Sequence, residues 1–209
     1  AMVKYKFVDR NDTVYPEGFG ELVKEQIAYL ENLRFTEEEE FFMRERCYYI
    51  PTWFYTYLRV LRFKREWVKV EQDEEGRLHL EIEGYWHDTV LLEVMILAII
   101  SELHHRVTGD LDKIDLQEYY NISYNKAYRM LSEGLTVSEF GTRRRFSLAT
   151  EELAVRAFID ADRDLRKELG DKYKGNFPGT SNVWLASKYN VVPIGTMAHE
   201  FISAIAGMY

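Results

Sequence analysis

The last third of the chain repeats one pattern. An extended apolar stretch leads into a polar segment containing Gly-Thr, and a helical pattern follows. The stretches are Leu135-Thr136-Val137-Ser138-Glu139-Phe140, the segment around Phe177, and Val191-Val192-Pro193-Ile194. The polar segments begin at Gly141-Thr142, Gly179-Thr180 and Gly195-Thr196. The helical patterns lie at 149–169, at Val183–Tyr189 and from the third segment to the end of the chain. Strand, loop and helix in repetition are the grammar of a parallel sheet or a β/α barrel, because parallel neighbours need a crossover connection. In both architectures the loops that leave the C-terminal ends of the strands share one face, and ligands bind there. The repetition therefore predicts that the three Gly-Thr segments occupy equivalent places around one site.

Before Gly134 the rhythm differs. Val3, Tyr5 and Phe7 alternate as in a half-buried strand, and Pro16 and Gly18 turn the chain. Phe19, Leu22, Val23, Ile27, Leu30 and Leu33 recur at helical spacing. Thr36 and Glu39 form a capping box for a helix to about Tyr48, whose acidic start Glu37–Glu40 reads as a solvated first turn. A further helix runs from Thr52 to Phe63. Trp67–Glu71 and Leu78–Ile82 read as strands of a hairpin that turns at Asp73-Glu74-Glu75-Gly76. Helices are predicted from Thr89 to Val107 and from Asp112 to Ser132. Strands and helices mixed without strict alternation mark an α+β domain. The expected division is an α+β domain with a connector helix over 1–134 and β/α units over 135–209.

Bulk properties narrow the function. Three consecutive arginines, Arg143-Arg144-Arg145, stand in a chain of formal net charge −8, so the acidic balance argues against a general nucleic-acid binder. A single cysteine, Cys47, excludes an internal disulfide and fits a reducing cytoplasm. No apolar run reaches the roughly 18 residues of a membrane span. His104 and His105 are adjacent and do not share a helix face, which makes a metal pair there unexpected. Ala1 before Met2 reads as a residue left by tag removal. The roughly 75 residues after Gly134 hold about three β/α units against the roughly 200–250 residues of a complete barrel, so the chain is expected to be a piece of a longer protein.

The arginine triplet has two readings on its own. It is a solvated loop, or it is an anion site in which a glycine turn precedes a helix N-terminus. Arg144 and Arg145 cannot point the same way in an extended loop, and Arg145 is the better candidate for a structural ion pair.

Taken together, the three segments resemble the nicotinate phosphoribosyltransferase family. Ser138-Glu139-Phe140-Gly141-Thr142-Arg143-Arg144-Arg145-Phe146-Ser147 is similar to its signature. Gly179-Thr180-Ser181-Asn182-Val183 and Pro193-Ile194-Gly195-Thr196-Met197-Ala198-His199-Glu200 are similar to its next two motifs, in order. Glu83-Gly84-Tyr85-Trp86, Leu92-Glu93-Val94 and Ile100-Ser101-Glu102-Leu103 also match in order. The resemblance implies an α+β N-terminal domain followed by the first β/α units of an irregular α/β barrel. It implies transfer of phosphoribose from phosphoribosyl pyrophosphate to nicotinate, with Mg²⁺ present and ATP hydrolysis coupled. The product is nicotinate mononucleotide, for NAD salvage in the cytoplasm. Such an enzyme is a glycosyltransferase in its chemistry, a ligase in its use of ATP, a phosphoprotein, and a homodimer with shared active sites. The family's initial Thr-Asp-x-Tyr-Lys-type segment and its later His-Asp-Ser-Gly-Asp segment are not in this sequence, so the chain alone is expected to be inactive.

The resemblance also places roles. The reaction develops an oxocarbenium-like sugar and a departing polyanion, so fixed positive charge should dominate catalysis. Arginine binds phosphate or carboxylate with a planar fork. Arg143 is the first candidate, for phosphoribosyl pyrophosphate or for the nicotinate carboxylate, with Gly141, Thr142, Arg144, Asn182 and Thr196 as further substrate contacts. Phe140 is either a core residue or a ring stacked on the pyridine. Ser181 stands where the related nicotinamide enzymes carry an aspartate, and a serine can donate to an acid that an aspartate would repel. Ser181 and Asn182 also read as a helix N-cap. His199 matches the histidine that ATP phosphorylates; Glu200 would orient it or help hold Mg²⁺. Ser203 stands where a zinc peptidase helix needs a second histidine, so zinc hydrolysis is rejected and no protein metal site is assigned. The competing readings are a non-catalytic interaction module that uses these loops only for packing, and a nicotinamide phosphoribosyltransferase.

Overall fold

The computed structural model describes residues 1–196 and 199–208; within the last segment the side chains of 199, 200, 204 and 208 lie outside the description. The chain divides into two compact units built from separated segments. One comprises Ala1–Arg34, Leu61–Ile96 and Gly195–Tyr209, and the other Phe35–Val60 and Leu97–Ile194.

The first unit holds a three-stranded antiparallel sheet. Its strands are β1 (Met2–Lys6), β2 (Val68–Gln72) and β3 (Leu78–Tyr85), in the order β1-β3-β2. Strand β3 is central, and Leu78, Leu80, Ile82 and Gly84 alternate inward, as a period of two requires. The predicted hairpin forms: Asp73 N–H donates to Arg77 O at 3.0 Å and Gly76 N–H to Asp73 O at 3.0 Å. Helix α1 (Phe19–Tyr29) buries Phe19, Val23 and Ile27, the i, i+4, i+8 stripe. Each such side chain contributes about 1.5–3 kcal/mol by burial. Gln72 fixes the helix start by accepting from Gly20 N–H at 3.1 Å.

The helix predicted from about Thr89 to Val107 forms from Leu92, and a short helix that was not predicted precedes it. Helix α4 (Trp86–Thr89) begins directly after β3, and α5 (Leu92–Val107) resumes after a turn. Thr89 Oγ1 donates to Tyr85 O at 3.1 Å, a side-chain bond that competes with the helix ladder.

The second unit begins with α2 (Glu37–Arg46) and α3 (Thr52–Val60), both shorter than predicted. The capping box of Thr36 and Glu39 is present. The acidic first turn of α2 is not wholly solvated. Glu40 is buried, bonded to Arg44 at 2.7 Å and to Arg59 of α3, so it joins the two helices.

Helices α6 (Leu116–Ser132) and α7 (Leu148–Leu169) form the centre of this unit. Asp115 caps α6 by accepting from Gln117 N–H at 2.8 Å and Glu118 N–H at 3.0 Å, which moves the start past the predicted Asp112. Ala127, Leu131, Ala161, Leu165 and Phe177 make the buried core. Three phenols of α6 donate to three acids of α7 at a constant offset. Tyr120 meets Asp160 at 2.7 Å, Tyr124 meets Asp164 at 3.1 Å, and Tyr128 meets Glu168 at 2.5 Å. Both partners advance by four residues, so the helices run parallel and each rung uses one helical turn.

The parallel segments are shorter than the sequence predicts. Residues 135–140 are not a continuous strand; they make two isolated parallel bridges, Thr136 with Asn176 and Glu139 with Thr180. Val137 N–H donates to Asn176 O and Glu139 N–H to Gly179 O, both at 3.0 Å. Two steps on one side therefore answer three on the other, and Pro178, which has no N–H, falls in the gap. Strand β4 (Gly179–Thr180) pairs in parallel with β5 (Val192–Pro193). Helix α8 (Val183–Tyr189) connects them. No closed sheet forms among the described residues; where a barrel was expected, they make a short open parallel arrangement.

The Gly-Thr pairs are not equivalent in local structure. Gly141-Thr142 opens a 3₁₀ turn, Gly179-Thr180 is itself strand β4, and Gly195-Thr196 is exposed coil in the first unit. A shared dipeptide does not impose a shared backbone; the pairing partner of each segment does.

Candidate active site

The arginine triplet is folded into a turn, not an extended loop. Thr142–Arg144 form a 3₁₀ turn and Arg145 leaves it in extended conformation. Side chains three apart eclipse in such a turn. Thr142 and Arg145 therefore point the same way, inward, and both reach Glu151 of α7. Thr142 Oγ1 donates to Oε1, and Arg145 Nη1 donates to Oε2 at 3.0 Å. Arg145 Nη2 also lies 3.2 Å from Glu102 of α5. Arg145 is thus the structural ion-pair residue that the sequence suggested, with its side chain only 17% exposed. Arg143 and Arg144, on the rest of the turn, are exposed.

Gly141 is not needed for backbone freedom; a side chain here would instead displace the end of Glu139. Its φ of −83° suits any residue. A Cβ at this position would lie 2.5 Å from Glu139 Oε1, which accepts the Gly141 N–H.

The N-terminus of α7 is already occupied. Ser147 and Thr150 form a capping box, and Glu102 Oε2 accepts from Leu148 N–H at 3.1 Å. An internal carboxylate takes the place that the dipole would offer to a phosphate. The cationic groups that this loop leaves exposed are the Arg143 and Arg144 side chains. Ser101 Oγ adds a bond to Arg145 O at 2.8 Å. Phe146 packs over His105, with ring centroids 4.5 Å apart.

The 179–182 segment is tied to the same acids. Thr180 is fully buried, and its hydroxyl donates to Glu139 and accepts from Asn182 N–H at 3.0 Å. Asn182 caps α8 through Leu185 N–H at 3.1 Å and donates from Nδ2 to Glu151 Oε1 at 3.2 Å. Ser181, half-buried, is held by its N–H on Glu139 O at 2.9 Å. Of the two N-cap readings, Asn182 takes the role and Ser181 precedes it. Burial pushes the Glu139 carboxyl above the usual carboxylate range, and its bonds from Thr180 and Gly141 offset this only in part. Burial also raises the Tyr119 phenol, helped by the charges of Glu139 and Glu151.

Phe140 is 46% exposed, so it is not a core residue. Gly141, Thr142, Arg143, Arg144, Ser181 and Asn182 are brought together with it in the second unit. Thr196 is exposed coil of the first unit. His199 opens α9 (His199–Met208), but its side chain, and with it the phosphohistidine expectation, lies outside the described residues. The sequence reading gave no role to Glu102, Glu139, Glu151 or Thr180. Glu102 stood in a stretch that matched in order, and the Ser147-x-x-Thr150 cap places Glu151 one turn into α7.

A model of the nicotinate phosphoribosyltransferase N-terminal domain matches residues 1–101, and a model of the nicotinate phosphoribosyltransferase family matches residues 135–208. The chain belongs to the nicotinate phosphoribosyltransferase family. A nicotinate phosphoribosyltransferase of Chromohalobacter salexigens is 36% identical over 205 residues, which is 96% of this chain and 48% of that protein. That of Desulforapulum autotrophicum is 33% identical over 200 residues, with the same coverage. A crystal structure of nicotinate phosphoribosyltransferase from Porphyromonas gingivalis superposes with a TM-score of 0.84 at 32% identity, over 96% of this chain and 48% of that one. The chain spans about half the length of the curated nicotinate phosphoribosyltransferases it matches. Its mixed α/β architecture is that of the solved family structures.

Proposed function

We propose that the protein to which this chain contributes transfers the phosphoribosyl group of phosphoribosyl pyrophosphate to nicotinate. The bond from the ribose anomeric carbon to pyrophosphate breaks, a bond from that carbon to the pyridine nitrogen forms, and pyrophosphate leaves. ATP hydrolysis is coupled, and nicotinate mononucleotide is the product for NAD salvage. The observation that supports this most is the division within the arginine triplet. Arg145 turns inward onto two carboxylates, while Arg143 and Arg144 stay exposed beside the half-exposed Phe140 and the half-buried Ser181. Cations, an aromatic face and a hydroxyl donor are what a phosphorylated sugar and a pyridine acid require.

In this reading Arg143 contacts phosphoribosyl pyrophosphate or the nicotinate carboxylate, with Arg144 and the backbone of Gly141 and Thr142 beside it. Phe140 stacks on the pyridine. Ser181 donates to the acid, which favours nicotinate over nicotinamide, and Asn182 is a further substrate contact. Thr196 and a phosphorylated His199 belong to the third motif. Among the described residues no cluster of acids, histidines or cysteines could hold a metal ion. In this reading Mg²⁺ enters on the phosphates of the substrate, and no step is routed through it. The short parallel pairings of segments 135–140, 176–181 and 192–194 begin an irregular α/β barrel that follows an N-terminal domain over 1–134. A homodimer with shared sites and a cytoplasmic location complete the reading; among the described residues no helix is long and apolar enough to cross a membrane.

The test is product formation by the protein extended to the length of its relatives, supplied with nicotinate, phosphoribosyl pyrophosphate, Mg²⁺ and ATP. Nicotinate mononucleotide whose yield depends on ATP is the expected result. A well-folded protein that forms none would overturn the proposal and favour the interaction module.

A further inference from the structure

We infer that Glu151 is a positioning residue that holds the arginine turn and the Ser181 segment in register, an inference that rests on the phosphoribosyl-transfer reading. Its side chain is 1% exposed, so it faces no ligand directly. It receives donors from two segments roughly 40 residues apart. Oε1 accepts from Thr142 Oγ1 and from Asn182 Nδ2 at 3.2 Å, and Oε2 accepts from Arg145 Nη1 at 3.0 Å. Thr142 immediately precedes Arg143, and Asn182 immediately follows Ser181. Each donor is thus the chain neighbour of a residue placed on substrate. One carboxylate oxygen sets the spacing between the cation for the sugar phosphate or the acid and the hydroxyl that reads the acid. A buried acceptor left without one donor costs free energy, so the three bonds hold as a unit.

The two oxygens do different work, which separates positioning from simple charge pairing. Glu151→Ala removes both. Glu151→Gln keeps a carbonyl oxygen for Thr142 and Asn182 and loses the ion pair with Arg145. Arg145→Met loses the same ion pair and leaves Oε1 in place. In the extended protein, Glu151→Ala is expected to raise KM for nicotinate about tenfold or more with kcat changed less than about threefold, the pattern of weakened binding. Glu151→Gln and Arg145→Met are expected to keep KM within about threefold while both lower the melting temperature. A KM unchanged in Glu151→Ala, or raised equally in all three variants, would overturn the role.

Amide hydrogen exchange on the 209-residue chain supplies a readout that needs no turnover. Glu151→Ala should speed exchange in both 141–146 and 180–183, and Glu151→Gln in neither. Faster exchange in one segment alone would overturn the coupling. An unmutated protein that turns over no nicotinate would remove the phosphoribosyl-transfer reading, while the exchange pattern would still decide the coupling.

Discussion

Arg145 Nη1 lies 3.0 Å from Glu151 Oε2, and the carboxylate it meets is almost wholly buried. The same guanidinium reaches Glu102 at 3.2 Å. One member of a charged triplet is therefore committed to the interior, and its two neighbours are not.

That commitment predicts opposite phenotypes for adjacent arginines. Arg145→Ala leaves two carboxylates without their cation and should cost about 3–5 kcal/mol of stability, measured by urea unfolding of the 209-residue chain. Arg143→Ala should change stability by less than about 1 kcal/mol and abolish nucleotide formation in the extended protein. Near-normal turnover by Arg143→Ala would remove that residue from the site.

The phenol ladder between α6 and α7 predicts a late alkaline transition. Burial, then the bond to Asp160, pushes Tyr120 up to about 12, and Tyr124 and Tyr128 are raised as well. A phenol raised in the folded state contributes fully below its ordinary value near 10.0 and loses that contribution as pH rises through about 12. Phenolate absorbance should show a late-titrating fraction that shrinks in Tyr120→Phe. Titration of every tyrosine near its ordinary value would contradict the ladder.

At the acid end, the first sheet supplies the signal. The bonds from Lys4 and then Lys6 hold the Glu81 carboxyl down at about 2, with nitrogens 2.6 and 3.0 Å away. Its contribution is present above the ordinary value of 4.5 and is lost as pH falls through about 2. In a carboxyl titration by NMR, Glu81 should titrate near that lower value. Replacing both lysines by methionine should return it towards 4.5.

Two glycines of the Gly-Thr pairs should differ in tolerance. A Cβ on Gly179 would sit 1.9 Å from Val192 O, so Gly179→Ala must separate β4 from β5. The expected cost is about 1–3 kcal/mol or more. A Cβ on Gly195 meets nothing within 4 Å, and Gly195→Ala should stay within about 0.5 kcal/mol. Equal melting temperatures for the two variants would refute the close approach of these strands.

Much of the first sheet, the capping boxes and the main helices could be read from the sequence, because they depend on near neighbours. The alternation of Leu78, Leu80 and Ile82 and the spacing of Phe19, Val23 and Ile27 declare their faces without any partner. The same local rules marked the arginine stretch and the 179–182 segment as candidates for a site. They failed where a residue's state depends on a distant one. Residues 135–140 looked like a strand by composition, yet their pairing is interrupted by Pro178, some forty positions away. Glu40 looked solvated until Arg59 of the next helix covered it.

The chemistry of the loop divides in the same way. The sequence by itself determined that three arginines follow a glycine at the mouth of a parallel unit, next to an aromatic ring, and that a serine and not an acid stands at position 181. Only the tertiary structure decided that Arg145 turns inward. It also decided that Glu102 occupies the helix N-terminus where a phosphate was expected, and that Glu151 joins the two loops. Buried charges must find partners, and Arg145 finds them on α5 and α7, more than forty residues apart in the chain, which no local pattern brings together.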